Sequence, residues 1–211
     1  MGNMEEKMTK AKEAAMAATG NKPILNLLPF KHKKVGIVTT GNEVFYGRIK
    51  DTFTPVIEGK LAEFDTEIID HVTWNDDDTK VTASILDMIH KGADIVVCTG
   101  GMSVDPDDKT PLAIKNTGAD IVSYGAPVLP GAMFMLAYYQ VTEGDDTRTV
   151  AIMGLPGCVM YAKRTIFDLV LPRVMADDKV TAEELAALGP GGLCLNCPVC
   201  TFPNCGFGKG V

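Results

Sequence analysis

Short apolar runs that end directly in glycine-bearing turns constrain this chain more than any other feature. Asp94-Ile95-Val96-Val97-Cys98 leads into Thr99-Gly100-Gly101, and Val35-Gly36-Ile37-Val38-Thr39 leads into Thr40-Gly41-Asn42. An apolar run with no polar alternation is a strand covered on both faces, as in a parallel sheet. Around these runs the pattern is helical. A helix is expected from about Asp51 to Phe64, then a strand from Thr66 to Asp70. The next helix carries Val81, Ile85, Met88 and Ile89 on one face, with Asp76, Asp77 and Asp78 as caps and first-turn acids. Asp120–Ser123 and Thr149–Met153 are further strand candidates. Gly154-Leu155-Pro156-Gly157 then turns into a helix expected from about Cys158 to Leu171, stopped by Pro172. Strands alternating with helices predict an α/β fold: a three-layer, doubly wound, mostly parallel sheet with a small cysteine-rich C-terminal appendage.

The 211 residues suit one main domain, at 34–174, with two appendages. Residues 1–33 read as an N-terminal helix and connector. The helix has a narrow apolar stripe of Met4, Met8, Ala11 and Ala15, so it is either weakly docked or frayed. A chain that opens this way also fits the C-terminal piece of something longer. Residues 175–211 carry a short helix from Thr181 to Leu188, opened by a capping-box-like Thr-Ala-Glu-Glu, and then the cysteine tail. A net charge of -7 and the lack of a basic stripe argue against a nucleic-acid partner. An anionic ligand would have to be held by local donors. No apolar signal segment and no run of about 18 apolar residues occurs, so no membrane association and a cytoplasmic location are expected.

In an open parallel sheet, ligands bind beyond the carboxyl ends of the strands. Three loops leave that edge with unusual content: Thr39–Gly47, Thr99–Asp108 and Gly154–Gly157. In the middle loop Gly100-Gly101 allows close backbone approach to a phosphate, and Ser103 adds a hydroxyl. Asp105, Asp107 and Asp108 follow, then Lys109-Thr110-Pro111 at a helix start. Donors beside carboxylates suit a phosphate held with Mg²⁺. Taken alone, these residues more often form a solvated acidic loop. The Gly41-Asn42-Glu43 turn and Gly157, at an expected helix N-terminus, shift the balance toward a common anion site.

The set Thr39-Thr40-Gly41-Asn42-Glu43, Thr99-Gly100-Gly101-Met102-Ser103-Val104 and Leu155-Pro156-Gly157 resembles the molybdopterin-binding domain of molybdenum-cofactor biosynthesis. That domain occurs in molybdopterin adenylyltransferases, in molybdopterin molybdotransferases and, more distantly, in competence-damage-type proteins. The resemblance spans Lys34 to Val174. It implies that Gly100, Gly101 and Ser103 hold the terminal phosphate of molybdopterin, with Thr99, Gly41, Pro156 and Gly157 lining the site. It implies catalytic roles for Asp108, Glu43 and Asp70, and places Asp51 near a further acid position. Asn42 departs from the molybdotransferase pattern, which has Asp there. Asp105 replaces a glycine, and Asp107 replaces a basic residue of adenylyltransferases. The implied function is binding of molybdopterin, or its nucleotide or metal form, in molybdenum or tungsten cofactor biosynthesis, through adenylylation or metal insertion. Alternatives are a non-catalytic carrier for a molybdenum or tungsten enzyme and, ranked lower, a nucleotide-processing protein. ATP, molybdate or tungstate, a molybdo- or tungsten-enzyme partner and a homo-oligomeric state are implied in the same way.

Cys194, Cys197, Cys200 and Cys205 crowd into the tail with two successive C-x₂-C steps. In a reducing compartment such a cluster reads as a metal site, either an iron–sulfur cluster or Zn²⁺, with free thiols as the alternative. Cys98 reads as a core residue. Cys158, expected at a helix N-terminus, is a candidate for a lowered pKa. Met133–Leu136 and Trp74 read as core or interface, and His71 as a surface residue able to approach the cleft.

Overall fold

The computed structural model describes residues 4–20, 26–105, 107–144 and 146–209. Its strands are β1 (Lys33–Thr40), β2 (Thr66–Trp74), β3 (Ile95–Thr99), β4 (Asp120–Tyr124), β5 (Met135–Glu143) and β6 (Asp146–Leu155). They form one sheet in the order β2-β1-β3-β6-β5-β4. β2, β1, β3 and β6 pair in parallel, β5 is antiparallel to both β6 and β4, and so β5 alone among the six described strands runs against the rest.

Side chains alternate between two cores, as the two-residue period of a strand requires. Ile37, Ile95, Val97, Met153 and Leu155 face one core, with Ile57 and Leu61 of α3 (Thr54–Leu61) and Val170 and Leu171 of α6 (Ile166–Met175). Val38, Val96, Cys98 and Ile152 face the other. There they meet Val81, Ile85, Met88 and Ile89 of α4 (Asp78–His90) and Ile114 of α5 (Thr110–Asn116). Helices on both faces of a mostly parallel sheet are the three-layer architecture expected.

α1 (Met4–Ala18) buries none of its residues, in keeping with its narrow stripe. Residues 21–25 of the expected connector lie outside the described residues. α2 (Asn42–Phe45) is a single turn directly after β1, and α7 (Ala182–Ala186) carries the full capping box between Thr181 and Glu184.

Five expectations need correction. β2 continues past Asp70 to Trp74, because His71-Val72-Thr73-Trp74 suits a strand. α3 starts only at Thr54, where Asp51 accepts the amides of Phe53 and Thr54. Residues 158–171 do not form one helix: a 3₁₀ turn covers Gly157–Met160, and α6 begins at Ile166. The cause is the reciprocal capping box of Thr165 with Asp168. Pro172 lies inside α6 and does not stop it. Burial of Val170, Leu171, Val174 and Met175 outweighs the roughly 3 kcal/mol that an interior proline costs. The fifth is β5: the Met133–Leu136 run, expected as core or interface, is where this strand opens at Met135.

Candidate functional site

β1, β3 and β6 end level with one another, since Thr39 pairs with Thr99 and Thr99 with Leu155. Beneath their ends lie five buried threonines, Thr39, Thr40, Thr54, Thr99 and Thr110. The Thr110 hydroxyl donates to the Gly100 carbonyl at 2.8 Å and lies 3.0 Å from the Thr40 hydroxyl. Thr99 donates to Thr39 at 3.3 Å, and Thr39 lies 3.2 Å from Thr54. His71 Nε2 closes the group at 3.1 Å from Thr39 and 3.2 Å from Thr54. Burial pushes the Asp51 carboxyl up, but the Thr54 hydroxyl, the amides of Thr54 and Phe53, and His71 outweigh it and hold the acid below its ordinary range. The sequence names Thr110 only as part of a helix start and gives Thr54 no role; a threonine directly before a proline at a helix start was the available signal.

Gly100 is fixed by the fold itself. It has φ 82°, and a Cβ there would stand 2.0 Å from the Thr40 carbonyl oxygen. The turn after β3 is therefore pressed against the end of β1, and Thr99, Gly100 and Gly101 lie beside Thr40, whose hydroxyl donates to the Thr99 carbonyl at 3.2 Å. Beyond the turn the loop bonds to itself. The Ser103 amide donates to the Asp108 carboxylate, Ser103 Oγ accepts the Asp105 amide at 3.1 Å, and Asp105 accepts the Asp107 amide at 2.9 Å. Tyr124, at the end of β4, donates to the Ser103 carbonyl at 3.2 Å. Burial and then the charge of Asp108 raise its phenol pKa. No sequence signal had marked Tyr124.

Glu43 lies in α2 on the same edge, exposed, beside Asn42, which donates to Asp76 at 2.6 Å. Pro156 is buried at the end of β6, and Gly157 is exposed in the 3₁₀ turn. That turn is too short to offer the helix N-terminus expected of Gly157. Asp70 is not brought to this edge. It pairs with Gly36 midway along β1, four residues short of the Thr40–Trp74 level, and binds Lys91 at 2.7 Å. A cavity of about 410 Å³ opens at the opposite edge, but its charges serve the fold: Lys33 pairs with Asp177, and Arg148 donates to the carbonyls of Ala93 and Ile89. Strand topology favours the glycine edge over that cavity.

The four tail cysteines all line one cavity of about 100 Å³. Among the described residues, no three His, Cys, Asp or Glu side chains stand close enough together to hold a metal ion. Burial raises the Cys158 pKa against opposing bonds from its own and the Val159 amide, so the lowered value expected for it is corrected. Burial pushes the Cys98 thiol up to about 12. Cys98 is accordingly expected to stay unlabelled by a thiol reagent in the native protein at pH 8 and to react only on unfolding. Mass mapping of the labelled peptides checks this.

The profile of a family described as "Probable molybdopterin binding domain" matches residues 36–176. CinA-like proteins of Mycobacterium tuberculosis and Mycobacterium avium are 34% and 32% identical to the chain over 77 residues. That stretch is 36% of this chain and 18% of the length of each relative. Among solved structures, a tungsten cofactor synthesizing protein MoaB from Pyrococcus furiosus superposes with a TM-score of 0.55 at 20% identity, covering 71% of this chain and 99% of that one. The protein CinA from Thermoplasma acidophilum gives 0.50 at 16% identity, covering 68% and 98%. These structures share the fold. No described helix is long and apolar enough to cross a membrane. With the family match extending across the sheet and all three strand-end loops, the chain belongs to the molybdopterin-binding domain family.

Proposed function

We propose that the chain binds molybdopterin, or its nucleotide or metal form, at the glycine edge of the sheet during maturation of a molybdenum or tungsten cofactor. The observation that carries this reading is the Ser103 amide, which already holds an anionic oxygen, that of Asp108. A terminal phosphate reaching the Gly100–Ser103 turn takes over that amide, with Thr99, Gly41, Pro156 and Gly157 lining its approach. Asp108 is thereby freed to face the ligand, and Glu43 supplies a second acid from α2. Mg²⁺ fits only together with the ligand: Asp108 and Asp105 would hold it, phosphate oxygens would complete its shell, and it would neutralise charge on the phosphate. Asp70 takes no part, being spent on Lys91.

Asp105 and Asp107 add negative charge around the loop and oppose a triphosphate. That favours metal insertion over adenylylation, and it also supports a second reading, a carrier that presents the cofactor to a molybdenum or tungsten enzyme. Protein purified without oxygen should carry a fluorescent pterin, or bind added molybdopterin stoichiometrically. Absence of both sinks the proposal, and binding of a nucleotide alone would point to nucleotide processing. In Asp108→Ala, pterin affinity should stay within about tenfold of wild type, a change of about 1.4 kcal/mol. Turnover with molybdate, or with ATP and Mg²⁺, should fall by about 100-fold or more, the scale of losing a positioned acid or base. Unchanged turnover in that variant selects the carrier.

A further inference from the structure

The four tail cysteines are absorbed by nothing in the pterin reading, and the backbone around them is closed. The amide of Gly208 donates to the Gly191 carbonyl at 2.7 Å, so both ends of the segment meet. Leu129 and Leu193 form a bridge in which the Leu129 amide donates to Gly192 and the Cys194 amide donates to Leu129. The base of the loop is tightly fitted. A Cβ on Gly192 would lie 2.0 Å from the Pro127 carbonyl oxygen, and one on Gly191 would lie 2.2 Å from that of Lys209. The result is a closed surface loop pinned to the domain at its foot.

Above the foot the loop is held in part: Cys194, Phe202 and Cys205 pack against the main core around Phe207, while its outer half stands in solvent. Leu195 is 77% exposed and Val199 is 76% exposed, and of the loop's apolar side chains only Phe207 is fully buried. An outer half so thinly packed gains from another source of order. Cys194, Cys197, Cys200 and Cys205 face one shared cavity, and Asn196, at φ 49°, bends the chain within the first C-x₂-C step. Lys163 lines the same cavity and donates to the Pro198 carbonyl at 3.3 Å, between Cys197 and Cys200. A cation so placed offsets the surplus negative charge of four thiolates on a divalent ion. Arg164, stacked 4.9 Å over Phe202, braces the other side.

We propose that this loop is a thiolate metal site in which the four cysteines bind one soft metal centre. Closing round it requires the exposed Cys197 and Cys200 to turn inward. Each ligand thiol gives up its proton to solvent on binding, and no oxidation is involved.

The full-length protein, reduced and held without oxygen, is titrated with Zn²⁺ alone, with Co²⁺ alone, and with Fe²⁺ plus sulfide. One centre per chain is expected, with four thiols becoming protected from alkylation, and with thiolate-to-metal absorption in the cobalt arm. Metal and sulfide content separates a single ion from an iron–sulfur cluster. Cys200→Ser, at an exposed position that leaves the foot of the loop intact, should weaken binding by at least about 100-fold, more than changing a group that only orients a ligand. Lys163→Met should weaken it less and keep the four-thiol spectrum. The proposal is overturned if wild-type protein binds none of the three metals, or if binding leaves the tail thiols as reactive as before. It is equally overturned if Cys200→Ser binds as tightly as wild type. None of these outcomes depends on pterin binding.

Discussion

Asp168→Ala should destabilise the protein by about 3–5 kcal/mol, the cost of stripping a buried charge of its partner. Lys60 is only 8% exposed and Asp168 only 5%. Both carboxylate oxygens lie 2.8 Å from Lys60 Nζ, whose other acceptor is the Lys163 carbonyl at 3.0 Å. The same carboxylate accepts the Thr165 amide at 2.7 Å, completing the cap of α6, and binds Arg164 at 2.9 Å. Removing it leaves the Lys60 ammonium buried with one neutral acceptor and strips the helix of the reciprocal half of its capping box, the Thr165 hydroxyl still capping the Phe167 amide. For a chain of this length the loss corresponds to a fall in Tm of roughly 10 °C. Lys60→Met should cost less, because Arg164 and the Thr165 amide still satisfy Asp168. Thermal and urea unfolding measure both. A cost below about 1 kcal/mol for Asp168→Ala would mean that water reaches the pair and that it is a surface bridge in energetic terms.

Gly100→Ala should show the second large effect, on stability and ligand together. A left-handed backbone costs a residue with a side chain on the order of 1–3 kcal/mol before any clash is counted. Here the added methyl meets the backbone oxygen of Thr40, which cannot rotate away, so the ends of β1 and β3 must separate. Pterin affinity should fall by about 100-fold or more, near 2.7 kcal/mol. Gly101→Ala makes an informative control. Its Cβ would meet the Thr110 hydroxyl at 3.0 Å at φ 51°, so the penalty should be about 1 kcal/mol and binding should largely survive. Wild-type pterin binding in a folded Gly100→Ala protein would remove this turn from the site.

The parallel half of the sheet was legible because its strands are sealed on both faces and so read as unbroken apolar runs. β5 was not. It begins as Met135-Leu136-Ala137-Tyr138, fully buried, and then leaves the core at Gln140, so its period is lost halfway along. α6 starts later than the glycine turn at 154–157 suggests, because the Thr165-x-x-Asp168 cap sets its first turn. At the site, the Gly100 turn, Ser103 and Asp108 could be read from the chain because they are contiguous. The threonine belt could not, since Thr40 and Thr110 meet only once β1, β3 and α5 have packed. Asp70 lies four residues of strand short of the edge, at about 3.3 Å each, because β2 runs on to Trp74, which its sequence position alone does not reveal. The tail's cysteine spacing was plain in the sequence. Its closure through Gly191 and Gly208 was visible only in the fold.

The reversal of β5 has a geographical effect. Because that strand starts level with the end of β6, the chain crosses from β4 to β5 along the rim where β1 and β3 also finish. Leu129 lies in that crossing, and Leu193 is stapled to it. Leu129, Pro156, Cys158 and Cys194 consequently share the wall of one hollow. Were β5 parallel to its neighbours, the crossing would run to the far rim and the cysteine loop would have no anchor here. A single strand direction thus sets the turn after β6 and the cysteine loop side by side on one rim.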